Sequence, residues 1–297
     1  MPRRIPIDTV VWQSDHTNDK ENNGYDRRYK YLSNSHFYIV LYNPNKPMSK
    51  PSLYYSQLFP PVLQEDGKRV ANQIMACFRY VDPKFNFVSS KLLDVGSSNG
   101  RTTIRLLPFV QKAIGVDVDK FAIEMGTQLY RSKRLQLSVF DGRTLPYPEQ
   151  TFDLVIFRLA YWYAEDQKKL VSEIFRVLKK GGLVYFEGHN KLFPLDADYK
   201  LLFLPYFPPN LAKIYIKLFT NKPYSIRKYR TYWEMKKLFS SFQITRLTPN
   251  IIKNPKAFQF KNLYHLAWIG KVFPLWLLRF LEPFSYNIIW VLRKPNN

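Results

Sequence analysis

The stretch KLLDVGSSNGR, residues 91–101, constrains the fold of this chain more than any other part. Its apolar start predicts a buried strand over residues 91–95, and the run after Gly100 predicts a helix over residues 101–107. A strand that ends in a glycine-bearing turn and opens a helix leaves free backbone N–H groups, which bind polar or anionic groups. Gly96 and Gly100 suit this turn because glycine adopts positive φ and lets a ligand approach the backbone closely.

Predicted strands and helices alternate from this stretch onward. Further strands are predicted over residues 112–116, 135–140, 153–157 and 183–187, and helices over residues 120–130 and 165–178. We expect Lys180-Gly181-Gly182 to form the cap that ends the last of these helices. The alternation predicts an α/β fold in which helices cover both faces of a mostly parallel sheet. Ligands of such folds bind at the carboxyl ends of the strands.

Acidic residues follow two of the predicted strands. Asp117 lies about twenty residues after the glycine turn, where a carboxylate accepts hydrogen bonds from both hydroxyls of a ribose. Asp119 is better explained as the N-cap of the next helix. Asp141 and Gly142 suit the amino group of an adenine, with Phe140 or Val118 stacked on the ring. The alternative is that Asp141 only begins a turn.

Composition narrows the class of protein. The chain has 297 residues, of which 46% are hydrophobic, so one large domain with additions has enough apolar residues for a core. Its single cysteine, Cys77, excludes an intrachain disulfide and suits a reducing compartment. The four histidines show no metal-ligand spacing, so no metal is expected. The N-terminus lacks the apolar core of a signal peptide, and no apolar run approaches the ~20 residues of a spanning helix.

Positive charge is concentrated in the last third of the chain. The net charge is +22, and residues 190–297 hold 18 of the 45 Lys and Arg but only 4 of the 23 Asp and Glu. Apolar and aromatic residues alternate there with the basic ones. This mixture favours contact with nucleic acid or with the surface of an anionic membrane. A solvated basic face without a partner is the alternative.

The first 60 residues are expected to be mostly irregular, because polar residues, Pro and Asn dominate them. They form either a lid on the substrate side or an arm that wraps around the domain. The spacing of apolar residues between 65 and 81 predicts a helix that leads into the strand at residue 91.

Four segments together resemble the class I S-adenosylmethionine-dependent methyltransferases. They are LLDVGSSNG, AIGVDVD, FDGRTLPYPEQTFDLVIF and EIFRVLKKGGLVYFEGHN, and they span about residues 85–190. They look most like the small-molecule methyltransferases with an LPF…FDxV…RVLKPGG signature. The resemblance implies a Rossmann-like, mostly parallel seven-stranded sheet, with residues 243–247 and 286–292 as its last two strands. It also implies an extension over 1–60, a cofactor-binding core over 61–190, and substrate-side insertions within 191–297.

The resemblance further implies S-adenosyl-L-methionine as the cofactor. Arg158 would lie near its sulfonium and near the acceptor. The other residues that it implies around the cofactor are Asp94, Gly96, Ser97, Ser98, Asn99, Gly100, Asp117, Val118, Asp141 and Gly142. Two departures stand out: Ser98 replaces the middle glycine of the loop, and residues 159–163, LAYWY, lack the histidine that relatives often carry there.

The candidate general bases are therefore His189, Glu187 and Tyr163, which follow or lie near predicted strand ends. A structural, hydrogen-bonded histidine is the alternative for His189. We expect a methyltransferase that acts on a small, lipidic or lipid- or glycan-linked acceptor at an O or C atom, in the cytoplasm and peripherally at the membrane. The alternatives are an RNA methyltransferase that uses the basic last third, and a catalytically inactive methyltransferase-like scaffold.

Overall fold

The computed structural model describes residues 27–33, 36–42, 66–220 and 227–296, in two units that cover 1–52 and 53–297. In the first unit, strand β1 (Arg27–Ser33) pairs antiparallel with strand β2 (His36–Tyr42). The sequence analysis expected residues 1–60 to be mostly irregular and did not predict this hairpin, in which the aromatic and β-branched residues of HFYIVLY favour a strand. The rest of the predicted lid or arm lies outside the described residues.

One sheet organises the second unit. Its strands are β3 (Lys91–Val95), β4 (Lys112–Asp117), β5 (Leu135–Val139), β6 (Phe152–Arg158), β7 (Leu178–His189), β8 (Gln243–Arg246) and β9 (Asn287–Arg293). Their order across the sheet is β5-β4-β3-β6-β7-β9-β8. The first five are parallel, whereas β9 runs antiparallel to β7 and β8. The predicted Rossmann-like, mostly parallel seven-stranded sheet is confirmed.

Helices connect the strands and cover the sheet. They are α1 (Gly67–Val81), α2 (Arg101–Leu106), α3 (Lys120–Leu129), α4 (Gln167–Val177), α5 (Pro209–Phe219), α6 (Tyr232–Leu238), α7 (Thr248–Lys253), α8 (Ala267–Val272) and α9 (Leu275–Leu281). Side-chain caps fix several starts: Asp119 accepts from the Ala122 N–H at α3, and Thr231 forms a capping box with Glu234 at α6. None of the helices among the described residues is long and apolar enough to cross a bilayer.

Alternate residues of the central strands build a separate core on each face of the sheet. In β7, Val184 and Phe186 belong to the core that α4 and α6 complete. Their neighbours Leu183 and Tyr185 belong to the core that α1 completes. Successive side chains of a strand point to opposite faces of the sheet, so a strand that is buried on both faces is expected to be apolar at all of these positions. The helices therefore cover both faces, and the carboxyl ends of the parallel strands remain as the edge where a ligand can bind.

The predicted glycine cap of helix α4 is wrong. The helix ends at Val177, and Gly181 and Gly182 lie inside strand β7, which continues from Leu178 to His189. Between Leu178 and Leu183 the strand slips out of register with β6, and Gly181 has a φ of +73° in this bulge. Hydrogen bonds to the chain after β9 hold the bulge, since the Gly181 N–H donates to the Lys294 carbonyl oxygen. These sheet contacts override the local cap signal.

Candidate functional site

The loop between β3 and α2 adopts the conformation that the sequence predicts for a ligand-binding turn. Gly96, Ser98 and Gly100 have φ values of +80°, +50° and +72°. The Gly96 and Ser97 N–H groups both donate to the Val116 carbonyl oxygen at the end of β4. Ser98 thus adopts the left-handed backbone that a glycine would favour, so the first departure from the family pattern does not change the course of this loop.

The surroundings of the loop leave no space for larger residues. A Cβ on Gly96 would lie 2.5 Å from the Cβ of Ala160, which follows β6. On the other side, a Cβ on Gly126 of α3 would lie 2.1 Å from the Asn99 carbonyl oxygen. Real Cβ atoms do not approach other atoms so closely. The loop is therefore held between the end of β6 and helix α3.

The Asp117 carboxylate joins this loop to the end of β4. One oxygen accepts from the Ser98 N–H at 2.7 Å, and the other accepts from the Asp119 N–H at 2.9 Å. Each carboxylate oxygen keeps further acceptor capacity for a ligand hydroxyl. Asp119 itself caps α3, which confirms its predicted structural role. Asp117 is thus fixed at the strand end where the sequence placed a ribose ligand.

Asp94 lies buried beside this carboxylate. Its Oδ2 accepts from the Thr103 hydroxyl at 2.6 Å, a contact with the first turn of α2 that our sequence reading missed. Burial raises the pKa of Asp94 to about 6, although the Thr103 hydrogen bond opposes the rise, and the charge of Asp117 adds to it. Burial likewise raises the pKa of Asp117 to about 6. Together, Asp94 and Asp117, the strand-end carboxylates, form a site that favours a cationic ligand.

Val118 and Gly142 are also brought together at this edge. A Cβ on Gly142 would lie 2.9 Å from Cγ1 of Val118, so the two residues form one continuous wall. Asp141 is exposed, and its Oδ1 accepts from the N–H groups of Arg143 and Thr144, which lowers its pKa. These contacts favour the alternative in which Asp141 builds the turn that presents Gly142.

Arg158 and Glu187 form an ion pair at the ends of β6 and β7. Arg158 Nε donates to Glu187 Oε2 at 2.7 Å, and both side chains are largely buried. Glu187 also accepts from the Tyr185 hydroxyl and from Asn287 Nδ2. These donors engage both carboxylate oxygens of Glu187 within the protein. The pair places the positive charge of Arg158 where it stabilises the ionised Asp94.

His189 is buried at the end of β7. Nε2 lies 3.0 Å from the Leu195 carbonyl oxygen, to which it donates, and Nδ1 lies 3.4 Å from Asn287 Oδ1. Rings of Trp162, Tyr229 and Tyr286 surround the imidazole. Burial lowers the pKa of His189, which keeps it neutral at pH 7. These contacts favour the structural alternative over a general base that must reach the acceptor.

Tyr163 belongs to a buried polar cluster next to His189. Its hydroxyl donates to Asp198 Oδ2 at 2.7 Å, and Asp198 is paired with the guanidinium of Arg227. Burial and the Asp198 charge raise the pKa of Tyr163 well above its ordinary value. A phenol in this state does not release its proton easily. Sequence patterns do not reveal this cluster, because Tyr163, Asp198 and Arg227 are 29 to 64 residues apart.

The arrangement fits the cofactor that the resemblance implies. S-adenosylmethionine carries a cationic sulfonium, an α-amino group and a ribose diol, which match the strand-end carboxylates. The left-handed backbone of Gly96, Ser98 and Gly100 suits a loop that a ligand approaches closely. No group of three or more possible metal-ligating side chains occurs among the described residues.

The raised pKa of Asp94 predicts a pH dependence of folding stability. Because its pKa is about 6 in the folded protein and about 4 in the unfolded chain, the folded state binds the extra proton between those values. The unfolding free energy should therefore fall as pH rises from about 4 to about 7, by at most about 3 kcal/mol. Asp94→Asn should lack this contribution. Urea unfolding across this pH range measures the difference between the two proteins, and a difference that does not change with pH would contradict the assignment.

Part of the chain is similar to known proteins. Residues 93–186 match the family described as a methyltransferase domain. The uncharacterized methyltransferase YcgJ of Bacillus subtilis is 33% identical over 33% of this chain and 40% of that protein. A demethylmenaquinone methyltransferase of Symbiobacterium thermophilum is 29% identical over 48% of this chain and 61% of that protein. Phosphoethanolamine N-methyltransferase 2 of Haemonchus contortus, solved with S-adenosyl-L-methionine, aligns with 75% of this chain and 52% of its own, at 17% identity and a TM-score of 0.47.

The chain spans between 40% and 61% of the length of these two curated relatives. The matched residues run from β3 into β7, and so contain the loop, the strand-end carboxylates and Arg158. Residues 93–186 thus form a methyltransferase domain, within the Rossmann-like sheet that is typical of class I S-adenosylmethionine-dependent methyltransferases.

Proposed function

We propose that this protein transfers the methyl group of S-adenosyl-L-methionine to a small-molecule acceptor. The observation that carries the proposal is the position of Asp117, whose carboxylate holds the left-handed loop after β3 and retains acceptor capacity. The loop would bind the methionine part of the cofactor through the backbone of residues 96–100. Asp117 would accept from the ribose hydroxyls, and Val118 with Gly142 would flank the adenine.

The remaining residues have positioning roles in this proposal. The cofactor supplies a methyl group on a cationic sulfur, which is already activated, so the protein contributes mainly orientation. Asp94 would stabilise the positive charge of the bound cofactor. The Arg158–Glu187 pair fixes the border between the cofactor and the acceptor side. We propose that Glu187, His189 and Tyr163 shape the acceptor side, since their contacts engage them within the protein.

We further propose a lipidic or lipid- or glycan-linked acceptor, methylated at an O or C atom. Several curated relatives are named as demethylmenaquinone methyltransferases, and one is named as a ubiquinone/menaquinone biosynthesis C-methyltransferase. The basic and aromatic last third of the chain supports the same choice, because it suits a protein that works in the cytoplasm at the surface of a membrane.

Calorimetric titration with S-adenosyl-L-methionine tests the role of Asp117. Asp117→Ala and the milder Asp117→Asn remove charge-assisted hydrogen bonds worth about 1.5–3 kcal/mol, so affinity should fall about 10- to 150-fold. The control is Glu124→Ala on α3, whose exposed side chain pairs with Lys120. Equal affinities of all variants with correctly folded protein would overturn the cofactor site.

Incubation with methyl-labelled cofactor and fractionated host extract tests the acceptor class. We expect label in the fraction that organic solvent extracts, and much less label there at subsaturating cofactor when Asp117→Ala replaces the wild-type protein. Label in nuclease-sensitive material would replace our acceptor with RNA. Tight cofactor binding without label in any fraction would favour the inactive scaffold.

A further inference from the structure

A row of exposed apolar side chains runs along the chain before β9. Its members recur at every fourth residue through α8, α9 and the following 3-10 turn: Trp268, Val272, Trp276, Phe280 and Phe284. Their exposed fractions lie between 56% and 71%. Leu278, in contrast, is buried on another side of α9. We call the five residues the apolar row. Five large exposed apolar side chains within 17 residues are more than the scattered ones that are normal on a protein in water, and such a concentration is typical of a surface that binds a partner.

The charges around the apolar row are almost all positive. Lys271 and Arg279 are exposed on the same segment. The four acidic residues of 190–297 are Asp196, Asp198, Glu234 and Glu282, and all have partners within the protein. Asp198 pairs with Arg227, and the other three accept hydrogen bonds. The basic residues of this region are thus only partly neutralised by nearby acids. Exposed tryptophan and phenylalanine flanked by Lys and Arg are typical of segments that lie in a membrane interface.

The row also ends at the edge of the sheet where the candidate site lies. Asn190 Nδ2 donates to the Pro283 carbonyl oxygen at 2.7 Å, next to Phe284. Three residues after Phe284, Asn287 begins β9 and stands opposite His189 at the carboxyl end of β7. The Phe284 end of the row therefore lies at the same edge of the sheet as the strand-end carboxylates.

We infer that the apolar row is the surface by which this protein binds the interface of an anionic lipid bilayer. The inference rests on the proposed function, because the bilayer would be the source of the lipidic acceptor. The aromatic side chains would enter the boundary between headgroups and acyl chains, while Lys271 and Arg279 contact anionic headgroups. A second copy of the chain is a poorer occupant, since two proteins of net charge +22 repel each other.

Co-sedimentation with extruded vesicles tests the inference on the full chain. We expect binding to vesicles of equal parts phosphatidylcholine and phosphatidylglycerol, and weaker binding to phosphatidylcholine alone. Trp276→Glu combined with Phe280→Glu should lower the partition coefficient about tenfold or more, because two apolar side chains would leave the interface. The matched control is Val88→Glu with Leu129→Glu, which places two carboxylates at exposed apolar residues outside the row and should show a markedly smaller loss.

Each other outcome overturns the inference. Absence of vesicle binding by the wild type, or equal losses in the row variant and the control, would exclude the row as a membrane surface. If the row variant instead abolishes a dimer seen by sedimentation velocity, or binding of single-stranded RNA, the row contacts that partner. Cofactor titration of the same proteins distinguishes failure of this inference from failure of the proposed function. Cofactor binding without vesicle binding by the wild-type protein would overturn only this inference. Vesicle binding without cofactor binding would overturn only the proposed function.

Discussion

The Asp117 carboxylate is the contact on which the candidate site depends. It accepts one hydrogen bond from the loop after β3 and one from the start of the segment that leads into α3. Parallel strands bring their carboxyl ends to one edge, but they do not fix the loops that leave it. Asp117 does so, because a single side chain at the end of β4 holds the left-handed backbone of Ser98. Our proposed function depends on this arrangement.

Electrostatics explain why the site would take a cation. Asp94 and Asp117 are two carboxylates on neighbouring strands, and burial raises the pKa of each to about 6. Arg158 offsets part of this charge, but Glu187 shares its guanidinium. A cationic ligand between the strands would lower the free energy of both ionised carboxylates. Because burial raises the pKa of Asp94 and Asp117, their ionised forms destabilise the folded protein. A bound cationic cofactor would offset this destabilisation.

Much of the fold follows from the sequence, whereas the contacts between distant residues do not. The apolar strands, their alternation with helices and the glycine loop predict the sheet and the position of Asp117. The cap at Gly181 was wrong because hydrogen bonds to Lys294, more than a hundred residues away, decide the local structure. The pairing of Arg158 with Glu187 and the burial of His189 among aromatic rings likewise arise from tertiary packing. Spacing along the chain cannot reveal which partner engages a side chain.

Hydrogen exchange of the backbone amides in the presence of S-adenosyl-L-methionine tests the central claim most directly. Our account predicts that the cofactor slows exchange in residues 96–100, 117–119 and 141–142, where the loop and the neighbouring strand ends would contact it. Residues 268–284, which carry the apolar row, should exchange at the same rate with and without cofactor. Protection confined to other parts of the chain, or no protection at saturating cofactor, would contradict the account.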